Sequence, residues 1–295
     1  MKLANESAEI ASRVLHKCCD EVVPTGPWRW LCALQNGARF PVAATYGEGF
    51  LHLACQLGEM QESACTPEDA LIGNILLDGG VKFALDEASS CLRLQTDIAV
   101  LDEKQLLDRF WWALDGFHDG RRLLKSPASR PNFEIEEPAD SGADLRELLR
   151  ETSWTVTERG PNESSVELDK ASAAKANIRM SKRGTVLNLE LIRMNALAET
   201  ASRALAVFLL TASGGLRLVR AYGAMSCEEK TFGMQVCLPT NPATEEIDHA
   251  LAALAIAHRR CAKETRVLLD DGAARCYLAA RTTSTTDDKQ EEKEN

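Results

Sequence analysis

Three groups of residues in this 295-residue chain have types and spacings that could do chemistry. His258 and Cys261 stand one helical turn apart in "HRRC", with His249 two and a half turns earlier, so one helix face could offer imidazole and thiolate to a metal ion. A structural zinc site takes four such ligands and a catalytic one three plus water. No complementing ligands stand nearby, and Arg259 and Arg260 repel a cation. Gly79-Gly80 and Gly214-Gly215 form the second group, because glycine-rich turns can cradle phosphate. A phosphate loop needs strand, glycines, Lys-Ser/Thr and then helix. Here the order is helix, glycines, strand, and the glycines follow helix C-termini, where the dipole is negative. They read as helix stops. The third group is His52 and His118 as candidate general bases. No nucleophile elbow and no matching cysteine context accompanies them. The expectation is a non-enzymatic protein, with no catalytic, metal-binding or cofactor-binding residue and no cofactor.

Recognition residues remain. In "WRWLCALQ" the period-two alternation puts Trp28 and Trp30 on one face of a first strand, while Trp111 and Trp112 are neighbours on a helix and point apart. Core packing is the default for a strand tryptophan, but the residue type is also enriched at binding hot spots. Trp28, Trp30 and Phe40 are therefore the sequence's candidate partner-binding surface.

Composition narrows the partner. A net charge of −10, without a long basic run, argues against nucleic acid and favours basic or amphipathic protein segments. The first 22 residues lack the apolar run of a signal peptide, and no window supplies the ~18 apolar residues of a membrane span. A soluble, cytoplasmic protein with no membrane partner is expected. The ten cysteines contain no CxxC pair and fall mostly within apolar patterns, where a free thiol acts as a small hydrophobe.

The elements that must position these residues come in a repeated order. Residues 7–22 read as a helix broken by "PTGP"; three strands follow through "WRWLCALQ", "NGARFPVAATY" and "FLHLACQL". Thr66, Pro67, Glu68 and Asp69 start a capped helix that ends at Gly79-Gly80. Two strands and a helix through "LLDRFWWALDGF" complete the unit. After the proline-rich linker the order recurs, with "LAVFLLTASGG" as the second glycine-ended helix. Gly79 and Gly214 are 135 positions apart, whereas Leu92 and Met234 are 142 apart, which places a seven-residue expansion in "GAMSCEEK". The chain is thus expected to be α+β, with two tandem domains in the order α-β-β-β-α-β-β-α, each an antiparallel sheet of about five strands packed by helices. The boundaries are 1–127 for the first domain and 128–142 for the linker. The second domain, with an extra C-terminal helix, covers 143–280, and a disordered acidic tail covers 281–295.

That order, carried by "WRWLCALQNGARFPVAATYGEGFLHLACQLG", "ALIGNILLDGGVKFALDEASSCLRLQTDIAVLD" and "LLDRFWWALDGF", resembles the class I type III secretion chaperones, the Tir-chaperone-like family. The resemblance covers about residues 7–125 and, more weakly, 143–268. It implies a protein-binding module that holds an extended or amphipathic segment of a partner, such as a secreted protein, along apolar patches. It further implies a dimer-like unit, built either within this double-length chain or as a homodimer. A regulatory adaptor acting on a folded partner, and an enzyme with a site between the two domains, are the alternatives.

Overall fold

The computed structural model describes residues 2–34, 41–59, 65–125, 145–160, 162–181, 184–225 and 229–291. Phe40 and the linker 128–142 lie outside them. The first half runs α1 (Lys2–Cys18), β1 (Cys19–Gly26), β2 (Arg29–Leu34), β3 (Pro41–Gly47), β4 (Phe50–Glu59), α2 (Pro67–Leu76), β5 (Lys82–Leu85), β6 (Cys91–Ala99) and α3 (Glu103–Lys125). The second runs α4 (Leu145–Arg150), β7 (Thr155–Arg159), β8 (Glu163–Asp169), β9 (Ala174–Ser181), β10 (Gly184–Met194), α5 (Glu199–Gly214), β11 (Arg220–Met225), β12 (Lys230–Leu238) and α6 (Thr244–Val267). A last helix, α7 (Asp271–Glu291), continues past residue 280, where the sequence reading begins a disordered tail.

Each half builds one antiparallel sheet, in the orders β1-β2-β3-β4-β6-β5 and β7-β8-β9-β10-β12-β11. The fold is α+β with two tandem sheets of the same strand order, as the sequence leads one to expect. Each sheet has six strands rather than five. In the first half the extra strand is β1. The helix read over 7–22 stops at Cys18, because Val22 and Val23 are β-branched and pair with Cys32 and Leu31 of β2. In the second half, "SWTVTERGPNESSVELD" folds back on itself near Gly160, whose N–H donates to the Glu163 carbonyl at 2.7 Å, giving β7 and β8. The start of α2 is as read: Thr66 Oγ1 accepts the Asp69 N–H at 3.1 Å and Asp69 returns a carboxylate oxygen to the Thr66 N–H at 3.0 Å.

The alternating inward residues build the core. Trp30, Cys32 and Leu34 on β2, and Leu51, Leu53 and Cys55 on β4, are buried in one core with Leu106, Phe110 and Phe117 of α3; α1 packs on β1, β3 and α3, and α3 on β6. In the second half Leu187, Leu189, Phe232 and Met234 meet Ile247, Leu251 and Leu254 of α6.

The halves contact each other reciprocally. Helix α2 packs on β11 and α5, while α5 packs on β5. Lys82, the first residue of β5, is buried, and its ammonium donates to three carbonyls of the other half, Ser213 (2.8 Å), Leu216 (2.5 Å) and Val219 (2.9 Å). Arg220, the first residue of β11, is also buried and donates to Leu77 (2.6 Å) and Val81 (3.3 Å) of the first half. Asn74 of α2 donates to Ala221 at 2.8 Å. Register confirms that Lys82 and Arg220 are equivalent: Lys82 stands opposite Gln95 and Arg220 opposite Gln235.

That equivalence corrects the glycine matching. Lys82 and Arg220 are 138 positions apart, so Gly80 (φ 65°) corresponds to Leu218 (φ 62°), not to Gly215. Gly79 and Gly80 both have left-handed backbones, whereas Gly214 is the last residue of α5 and Gly215 has φ −90°. Gln95 and Gln235 are 140 apart, so only two residues of the expansion lie between β11 and β12, in "GAMSCEEK"; the loops from α2 to β5 and from α5 to β11 are five residues each.

Candidate functional site

The outer hairpin β1–β2 carries the first candidate surface. Gly26 pairs with Arg29, leaving Pro27-Trp28 as a two-residue turn. Trp28 has φ 56° and is 39% exposed, while Trp30 faces the core at 7%. The structure therefore separates the two tryptophans that alternation puts on one face: the left-handed turn residue does not continue the pleat of β2. A proline followed by a left-handed residue is the pattern of a type II turn, whose second position ordinarily takes glycine. The same hairpin carries Val23 and Leu31, directly opposite each other across the two strands and both exposed. Three of the seven large exposed hydrophobic side chains among the described residues thus belong to one hairpin. Strand β1 ends its sheet, with exposed Asp20 and Glu21 on it. Sequence reasoning missed Val23 because it read a helix over 7–22 and no strand after it, and missed Leu31 because it chose the face of Trp28 and Trp30. Trp111 is exposed on α3 and Trp112 half-buried.

The second candidate lies where the halves meet. His52 of β4 stands opposite Asp97 of β6 on one side and Thr45 of β3 on the other, so a hydroxyl, an imidazole and a carboxylate form one row across three strands. His52 Nδ1 lies 2.9 Å from Asp97 Oδ1, and Lys82 Nζ is 3.9 Å from Asp97 Oδ2. Burial opposes ionisation of Asp97. The His52 hydrogen bond and the Lys82 charge, with the backbone N–H of Leu218, outweigh it and hold the carboxyl below its usual range. The row opens on a cleft of about 330 Å³ closed by residues 214–217 of the other half, where the Arg217 guanidinium lies 5.2 Å over the Phe50 ring. This arrangement can orient His52 as a hydrogen-bond donor or a proton acceptor. Among the described residues the cleft lining offers it neither a serine nor a thiol, and Thr45 is the one hydroxyl there. Asp97 was not legible as its partner, since the two meet only through strand register 45 positions apart.

The other sequence candidates separate. His258 lines a cleft with Ser172 and Arg266, whereas Cys261 lines a different one with Tyr277; His249 is exposed. Burial, partly offset by Asp169, lowers the His258 pKa. Among the described residues no three His, Cys, Asp or Glu side chains group closely enough to hold a metal ion, and no helix is long and apolar enough to cross a membrane.

The cysteine environments give a pH prediction. Burial pushes the thiols of Cys18 and Cys261 up to about 11 and that of Cys65 to about 12, from 9.0. A raised folded pKa means that the folded chain keeps protons the unfolded chain releases, so stability is lost as pH rises above 9. Lys82 acts oppositely. Burial, only partly countered by Asp97, lowers its pKa to about 8 from 10.5, so its contribution rises with pH across that interval. Three thiols outweigh one amine. Urea midpoints under reducing conditions are expected to fall steadily from pH 9 to 11, and a flat profile would refute the burial of these thiols.

Comparison of the chain with protein-family models, with curated proteins and with solved structures gives no match.

Proposed function

We propose that the protein is a non-enzymatic binding protein that holds an extended segment of a partner polypeptide against the β1–β2 hairpin, acting as the type III secretion chaperone-like family does. The carrying observation is the grouping of Val23, Leu31 and Trp28 on an edge hairpin, with Trp28 kept in a left-handed conformation. Such a backbone costs a non-glycine residue about 1–2 kcal/mol and persists where the side chain has a use. An edge strand offers unpaired backbone groups to an added strand, and alternate pockets read its side chains. Asp20 and Glu21 beside that edge favour a basic amphipathic segment. The reciprocal contacts between the halves support reading the chain as a dimer-like unit within one polypeptide, and its acidic charge fits a soluble, cytoplasmic setting.

The test separates binding from folding. Trp28→Gly removes the ring and relieves the backbone, so the variant is expected to be about 1 kcal/mol more stable by urea unfolding. It is also expected to bind a fluorescent basic amphipathic peptide at least tenfold more weakly by anisotropy. Val23→Glu with Leu31→Lys is expected to abolish the binding. Peptide affinity unchanged in both variants would overturn the proposal.

A further inference from the structure

We propose that the cleft between the two halves, beside α7, binds a small organic anion: a phosphate or carboxylate carried on an aromatic body. The cleft holds about 600 Å³, within the ~300–1,000 Å³ of small-molecule sites. Its walls come from both halves. Three guanidinium groups converge there from three elements, Arg93 of β6, Arg260 of α6 and Arg281 of α7. In a chain with net charge −10 this is the reverse of the average surface.

The three arginines are differently committed. Arg281 is fixed in place: it donates to the Glu87 carbonyl of the first half at 2.9 Å and to the Thr211 hydroxyl of α5. Arg93 NH1 donates to Asp86 Oδ2 at 2.9 Å, while its buried Nε has no hydrogen-bond partner among the described residues. Asp86 is itself consumed by its own turn, since its Oδ1 accepts from the N–H groups of Ala88 and Ser89, both at 3.0 Å. Those backbone bonds and Arg93, against burial, hold its carboxyl below the usual range. Arg260 is exposed, and among the described residues it carries no hydrogen bond or ion pair. Two arginines are thus preoriented and one is uncommitted. With Asp86 and Glu87 counted, the lining still holds one positive charge in excess.

Guanidinium forks match phosphate and carboxylate geometry and hold them by charge-assisted bonds. The lining also carries two aromatic rings, from α5 and α7. Phe208 and Tyr277 meet edge to face with ring centroids 6.3 Å apart. Burial raises the Tyr277 phenol, which keeps it a donor. One cleft therefore offers guanidinium groups to an anionic head and aromatic surface to the body that carries it. Binding would tie the halves together through α7. This inference is independent of the hairpin proposal, because the two surfaces share no residue.

The test is calorimetric titration of the full chain with phenyl phosphate, benzoate, inorganic phosphate and phenol. Phenyl phosphate or benzoate is expected to bind at least tenfold more tightly than inorganic phosphate, and phenol not to bind; which anion is tighter assigns the headgroup. Arg260→Glu is expected to abolish binding, and Arg260→Ala to weaken it at least fivefold, both with an unchanged melting temperature in the absence of ligand. Phenol binding as tightly as the anions, affinities indifferent to both Arg260 variants, or no binding of any probe at millimolar concentration would each overturn it.

Discussion

Replacing Lys82 with methionine is expected to destabilise the protein by about 3–5 kcal/mol, the range for breaking a buried charge network by removing one partner. Replacing a whole buried ionic group with apolar side chains can be neutral or stabilising. That route is closed here, because the acceptors are backbone. The carbonyls of Ser213, Leu216 and Val219 stay where the chain puts them, and each buried acceptor left without a donor costs about 1–3 kcal/mol. Asp97 loses a compensating charge as well, though His52 and the Leu218 N–H remain. The gain from no longer desolvating an ammonium offsets part of this, and the count of orphaned acceptors decides the sign. Urea unfolding at pH 7 measures the loss, and a change below 1 kcal/mol would show that water replaces the amine. The variant should also lose the rise in stability that Lys82 contributes between pH 8 and 10.5. Arg220→Met, which orphans Leu77 and Val81 in the opposite half, should act in the same direction. The double variant should cost less than the sum if the two loops order each other.

Local features of the fold were legible in sequence, because their physics is local. Thr66-Pro67-Glu68-Asp69 names its own helix start, since cap and partner lie within one turn. The alternation of Leu51, Leu53 and Cys55 names a strand and its buried face. The repeated order of elements named two like sheets. What failed needed either long-range register or a residue acting against type. Lysine is almost never fully buried; Lys82 is, because its acceptors arrive from 131 to 137 positions away. Asp97 and His52 are bonded because β4 pairs with β6 and not with β5. The face of Trp28 depended on a turn at a residue that seldom adopts one. Of the candidate surface, Trp28 was found by residue type alone; Leu31 lies on the face of β2 that was not chosen, and Val23 required β1, a strand whose six-residue stretch "DEVVPT" is too short and charged to announce itself.

Gly79 and Gly215, one from each of two glycine pairs alike in sequence, are expected to respond in opposite directions to alanine. At Gly79 the backbone is left-handed, and a methyl group there would sit 2.3 Å from the Trp112 carbonyl oxygen and 2.4 Å from the Ala113 Cα. Both are main-chain atoms of α3 and cannot rotate away. Helix α3 has itself given way at this point, since Gly116 lies where a side chain would meet the Asp78 carbonyl oxygen at 2.2 Å. The turn and the helix are therefore pressed together across two glycines. Gly79→Ala combines backbone strain with overlap and should cost about 3–5 kcal/mol. Gly215 has φ −90°, and an added methyl group would meet only the Ala212 carbonyl oxygen, at an ordinary 3.9 Å. Gly215→Ala should stabilise by about 0.4–1 kcal/mol through the unfolded chain. Thermal or urea unfolding of the two variants side by side decides the matter. Equal responses would mean that the pairs are interchangeable helix stops. Opposite responses would mean that Gly79, unlike Gly215, is held by a close approach, and that the second half makes its equivalent turn at Leu218, where Asp97 of the first half accepts the backbone N–H.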